Sequence, residues 1–116
     1  MIEHHAVWYE SYDGQIFSNA YECYDYELNK RYHESGVTLY IGDKAVNYII
    51  TNGDETYNEI TDIYIDRSKQ EENEAFYTCL ADDFGYCLIA DAIRGNGSHY
   101  RYVEEHGFAT DIEEVK

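Results

Sequence analysis

A chain of 116 residues suits one compact domain with one core, and an apolar content of 44% separates it from a disordered acidic tail. Twenty-four Asp and Glu stand against eight Lys and Arg, a formal net charge of −16. Such a field repels phosphate, which argues against direct binding to DNA, RNA or an anionic membrane and for a basic partner.

The first strand is expected over residues 6 to 11, with Asp13-Gly14 as a type I′ hairpin turn and Gln15-Ile16-Phe17 returning. Ser18 or Asn19 should cap a helix, Asn19 with Glu22 three residues later fitting a capping box, and the helix should run to about His33 and end at Gly36. At 100° per residue, Ala20, Tyr21, Tyr24, Leu28 and Tyr32 share an apolar face. Glu22, Asp25, Tyr26 and Asn29 lie opposite and are expected to face solvent.

Residues 37 to 41 and 46 to 51 read as strands joined by Gly42-Asp43-Lys44, with Asn52-Gly53 as a further turn. Ile60, Ile63 and Ile65 do not share one parity, so residues 59 to 66 should form a strand with an irregularity or with two buried faces. Ser68 to Glu71 reads as a capping box that opens a second helix through Phe84, closed by Gly85. Phe76, Cys79, Leu80 and Phe84 make its buried stripe, and Glu71, Glu74, Thr78 and Asp82 its outer one. Residues 86 to 93 are the most apolar run and are expected to be a central strand. A loop over 94 to 98 follows, then a strand or turn holding Tyr100, Tyr102 and Val103, and a short terminal helix capped at Thr110. The order predicts one α+β domain over 1–116: a two-layer sandwich with a mixed or antiparallel sheet and two main helices on one face.

Motifs for catalysis are thin. Cys23, Cys79 and Cys87 are odd in number with no C-x-x-C, as expected of small buried residues in a reducing cytoplasm. The histidines lack metal-pair spacing, and neither H-E-x-x-H nor G-x-S-x-G occurs. Neither a metal nor another cofactor is therefore expected. Asn52 to Glu55 lacks EF-hand spacing and reads as a turn. The N-terminus has no basic and apolar signal pattern, and no run is long enough to span a membrane. Arg94-Gly95-Asn96-Gly97 and Glu105-His106-Gly107-Phe108 resemble two fragments of the acetyl-CoA-binding acetyltransferases. The nine residues between Gly97 and Gly107 are too few for the helix and strand that family places there.

The acidic pattern is stronger. Residues 54 to 83 hold ten carboxylates against Arg67 and Lys69. The outer stripe of the second helix spreads carboxylates over ~16 Å at 1.5 Å per residue, a spacing on the order of phosphates along nucleic acid. Glu22, Asp25, Tyr26, Asp54, Glu55, Glu71, Glu74 and Asp82 are accordingly the candidate partner-binding residues. Exposed tyrosines such as Tyr26 would serve as anchors able to stack on arginine.

Asp13-Gly14, Phe17, Cys23 and Tyr26-Glu27, with the later Asp62-Ile63-Tyr64-Ile65, resemble stretches of small proteins from phages and mobile elements. The resemblance covers about half the chain. It implies a setting in which tiny acidic proteins antagonise host defence, among them anti-restriction and anti-CRISPR nucleic-acid mimics. The expected function is a non-enzymatic inhibitor in the cytoplasm of a bacterial host, bound to a basic nucleic-acid-binding protein. The alternatives are an immunity protein or antitoxin against a basic toxin, a small acetyltransferase-like enzyme, and a phage structural or assembly subunit.

Overall fold

The structure is a computed structural model that describes residues 1–4, 8–49, 59–80 and 87–116. Asp54, Glu55, Asp82, Phe84, Gly85 and the Asn52-Gly53 turn lie outside the described residues.

The chain begins with a small antiparallel sheet of β1 (Ile2–His4), β2 (Trp8–Glu10) and β3 (Ile16–Phe17), in the order β1-β2-β3. The expected type I′ turn is not there. Ser11 and Gln15 close the β2–β3 loop, so three residues lie in it, and Gly14 alone has positive φ, at 90°. Type I′ needs positive φ at both central residues, and Asp13 does not adopt it. Ser11 Oγ instead accepts from Gln15 N at 3.0 Å and donates to Asp13, which fixes a three-residue loop.

Helix α1 (Ala20–Glu34) starts where Asn19 accepts from Tyr21 N at 2.7 Å. It ends at Gly36, whose φ of 76° an L side chain adopts only with strain. The face toward the core is rotated from the wheel expectation. Cys23, Glu27, Leu28, Asn29 and Tyr32 are buried, whereas Tyr21 is exposed. The reason is that α1 meets more of the chain than the sheet and α2. The N-terminal segment and hairpin reach Glu27 through the Met1 amine and Tyr12 N, and on another side lies the segment 46–49, whose Ile49 is bonded through backbone N–H and C=O by the Asn29 amide. That segment is not the expected strand. The returning strand is only the short β5 (Lys44–Ala45), which pairs with β4 (Val37–Ile41), after which the chain leaves the sheet and buries Val46 and Ile49. Tyr32 holds the departure: its hydroxyl accepts from Leu39 N at 3.0 Å and donates to the Val46 carbonyl.

The main sheet adds β6 (Asp62–Ile65), β7 (His99–Glu105) and β8 (Phe108–Glu114), all antiparallel, in the order β5-β4-β6-β7-β8. Ile63 and Ile65 point inward and Ile60 is buried just before the strand, which is the irregularity the parity anticipated. Helix α2 (Gln70–Leu80) follows a 3-10 turn over Arg67–Lys69. The cap is Asp66, which accepts from Ser68 N at 3.0 Å, and not the expected Ser68 box. Asp66 wins because its own N–H is held by the Gly36 carbonyl in extended backbone, leaving its carboxylate at the turn's open N–H groups.

Two expectations near the C-terminus fail. Of the central strand expected over 86 to 93, the described residues 87 to 93 are helical instead: α3 (Cys87–Arg94) buries Ile89, Ala90, Ala92 and Ile93. A short apolar run fits a buried strand or a buried helix equally, and here the i, i+3, i+4 set and the alanines decide for helix. Residues 110 to 113 are not helical either, but part of β8. In a strand Ile112 lies opposite Tyr102 and packs against the core, which a single terminal turn of helix could not offer. His106 and Gly107, at φ 54° and 83°, form the two-residue turn with both φ positive that Asp13-Gly14 does not.

The α+β two-layer arrangement stands, with three α-helices among the described residues where two main ones were expected. Val37, Leu39, Ile63, Ile65 and Tyr100 pack in one cluster with Leu28, Tyr32, Phe76, Leu80, Ile89 and Ile93. Each such side chain contributes about 1.5–3 kcal/mol of burial. The opposite face of the sheet carries Tyr40, Asp62, Tyr64, His99 and Arg101, one step out of parity with the core.

Candidate partner-binding surfaces

The carboxylates divide by what they touch. Glu27 is buried, accepting from the Met1 amine and from Tyr12 N, both at 3.2 Å. Asp13 takes hydrogen bonds from Ser11 and Tyr26, which hold its carboxyl below the ordinary value, and Lys30 lies 3.9 Å away. Burial pushes the Asp62 carboxyl up, but bonds from Thr61 and His99 and the charges of His99 and Arg101 outweigh it and leave it lowered. These acids build the fold.

Of the residues expected to bind a partner, Tyr26 belongs with them. It is half-buried, its ring centroid 5.2 Å from that of Phe17, and its hydroxyl donates to Asp13 at 2.6 Å. That bond raises the phenol's pKa. Tyr26 is therefore a strut between the hairpin and α1 and not a ring standing among acids. Asp25 is half-buried and engaged, and its carbonyl accepts from the Asn29 amide at 2.8 Å. Glu22, Glu71 and Glu74 are exposed, as expected. Glu74 accepts from the Gln70 amide at 3.3 Å, one turn away.

The two expected patches do not merge. The Tyr24 hydroxyl reaches the Cys79 carbonyl at 3.1 Å, and the Asn73 amide reaches the Ser35 carbonyl. Helices α1 and α2 thus run antiparallel, which puts Glu22 and Glu71 at opposite ends of the pair. Tyr24, expected in the core, is half-buried at this seam.

Few cations remain for the outer acids. Lys30 pairs with Glu34 at 3.0 Å, Arg31 lies 4.0 Å over the Tyr12 ring, and Arg101 faces Asp62. Arg67 donates to the carbonyls of Ala92, Ile93 and Gly97 at 3.0, 2.8 and 2.8 Å, closing the C-terminus of α3. Arg94 lies 4.7 Å over Tyr77 and 3.8 Å from Asp91. Glu22, Glu71, Glu72, Glu104 and Glu113 are exposed and make no ion pair among the described residues.

A groove of about 660 Å³ runs between α2 and the end of α3, past Gln70, Glu74, Tyr77, Arg94 and Asn96. The adjacent loop does not cradle a phosphate through Gly95 and Gly97: their N–H groups are spent on the Ala92 carbonyl and the Tyr100 hydroxyl. A second groove of about 530 Å³ lies over Tyr24, Glu27, Arg31 and Cys79. Among the described residues no group of three His, Cys, Asp or Glu could hold a metal ion, and no helix is long and apolar enough to cross a membrane.

Sequence reasoning missed the open face of the main sheet. Tyr40, Tyr64 and His99 form a row across β4, β6 and β7, with ring centroids 5.1 and 4.0 Å apart and the last pair stacked at 12°. His99 Nε2 lies 2.8 Å from Asp62 Oδ1. The signal was present in the strand parity: once Leu39 and Ile63 point inward, Tyr40 and Tyr64 must point out.

No family model, curated protein or solved structure matches the chain.

Proposed function

We propose that this protein is a non-enzymatic inhibitor whose carboxylates take the place of nucleic-acid phosphates in a basic channel of a host defence protein, acting in the cytoplasm of a bacterial cell. One observation carries the reading: a set of exposed acids has no cation beside it among the described residues. Glu71 and Glu72 on α2, Glu104 on β7 and Glu113 on β8 are exposed and unpaired among the described residues, while most of the arginines and lysines are engaged internally. A fold kept soluble by charge alone intersperses both signs. Here most cations have partners within the molecule, and exposed anions outnumber them, at the cost of self-repulsion.

Rigid helices and strands present these carboxylates at fixed spacing, so a partner with matching lysines and arginines gains many charge pairs without ordering the inhibitor. The experiment uses the full chain to capture partners from a bacterial lysate and then titrates each captured protein with duplex DNA and RNA. The reading requires that inhibitor and nucleic acid exclude one another, and that affinity falls at least tenfold between low and moderate salt. A ternary complex, or binding indifferent to salt, overturns it.

A further inference from the structure

We infer that the open face of the main sheet, centred on Tyr40, Tyr64 and His99, is a docking surface for an arginine-bearing segment of a basic protein. This inference rests on the inhibitor reading and names the part of the surface that gives it arginine selectivity.

The aromatic row is built before any partner arrives. Tyr64 and His99 are direct cross-strand neighbours, stacked at 4.0 Å between centroids. Asp62 holds the His99 ring by its Nε2, and Thr61 Oγ1 holds Asp62 in turn at 2.7 Å. Ordering these rings therefore costs a partner little. Cross-strand aromatic pairs also stabilise sheets, which accounts for the stacking. It does not account for the exposure: Tyr64 keeps 44% of its surface in solvent.

Charge selects the occupant. A second copy would bring another −16 to the same surface. A nucleic acid would bring phosphates. A basic polypeptide is attracted, and the register puts Asp111 and Glu113 of β8 on this same face, beyond Arg101 and Val103. Arginine is preferred over lysine because its planar guanidinium lies flat against aromatic rings while its N–H fork reaches carboxylates.

The test uses the full chain with synthetic oligo-arginine and oligo-lysine peptides of equal length, followed by calorimetry and by amide chemical shifts. The expected result is several-fold tighter binding of the arginine peptide, with shifts concentrated on β4, β6 and β7. Tyr64→Thr keeps a strand-favouring residue and the fold, and should abolish the preference while lysine binding persists. Equal affinity for both peptides, or a preference that survives Tyr64→Thr, overturns the surface and leaves the inhibitor reading standing. If neither peptide binds at low salt, both fall. Self-association that Tyr64→Thr disperses, or shifts on the same residues from a single-stranded oligonucleotide, assigns the face to another occupant and overturns the inference.

Discussion

Helices α1 and α2 carry similar numbers of acids for their length but use them differently. In α1 most of the polar residues beyond Glu22 are consumed within the molecule: Glu27 holds the Met1 amine, Asn29 holds segment 46–49, Tyr26 holds the hairpin, and Lys30 pairs with Glu34. In α2 the buried side is Asn73, Phe76 and Leu80, and Glu71, Glu72 and Glu74 point to solvent. The difference teaches that an acidic helix is not by itself a binding face. What decides is whether other chain segments come close enough to need its polar groups.

The largest effect should come from breaking the side of α2 that resembles α1. Leu80→Asp puts a charge where the side chain is 1% exposed and should abolish the cooperative thermal transition in circular dichroism. Next is the polar clamp of α1. Asn29→Ala strands the Ile49 N–H and C=O and should cost about 2–4 kcal/mol in denaturant titration. If it costs nothing, segment 46–49 is held by packing alone and α1 is less of a scaffold than argued.

Tyr26→Ala should lower the melting temperature by a few degrees, against no change for Glu22→Gln. The loss follows from the Asp13 bond and the Phe17 contact. It should also depend on pH. The Asp13 carboxyl is lowered in the folded state, so the strut's contribution is complete above the ordinary carboxyl value of 3.8 and fades as pH falls through the lower folded value. Parent and variant should therefore converge in acid, and a constant gap would locate the effect in the ring alone.

The smallest stability effect belongs to the outer stripe. Glu71→Lys with Glu74→Lys should shift unfolding by no more than ~0.5 kcal/mol, because both side chains are exposed. Partner affinity should fall by tenfold or more through charge reversal. Unchanged affinity would move the contact off α2, toward the β7–β8 hairpin or the open sheet face.

Local signals were legible wherever one residue type settles the backbone. Asn19 and Gly36 bounded α1, and the apolar residues of 37 to 41 and 76 to 80 found the core. Where two structures share one local pattern, the sequence was silent or misleading. Residues 87 to 93 are apolar enough for a strand or a helix, and Thr110 to Glu113 could start a helix or finish a hairpin.

The sequence by itself determined the class of fold, the acidic field and most of the apolar core, because these follow from composition and from periods of 2 and 3.6 residues within one segment. Tertiary structure alone decided which polar residues are spent. Glu27 looks like its neighbours until the Met1 amine and Tyr12 arrive beside it, and Tyr26 looks like a surface anchor until Asp13, thirteen residues earlier, meets its hydroxyl. Tyr40, Tyr64 and His99 become a row only when β4, β6 and β7 pair in register. A hydrogen bond or a stack needs two partners at a few ångströms, and no period within one segment records how distant segments meet.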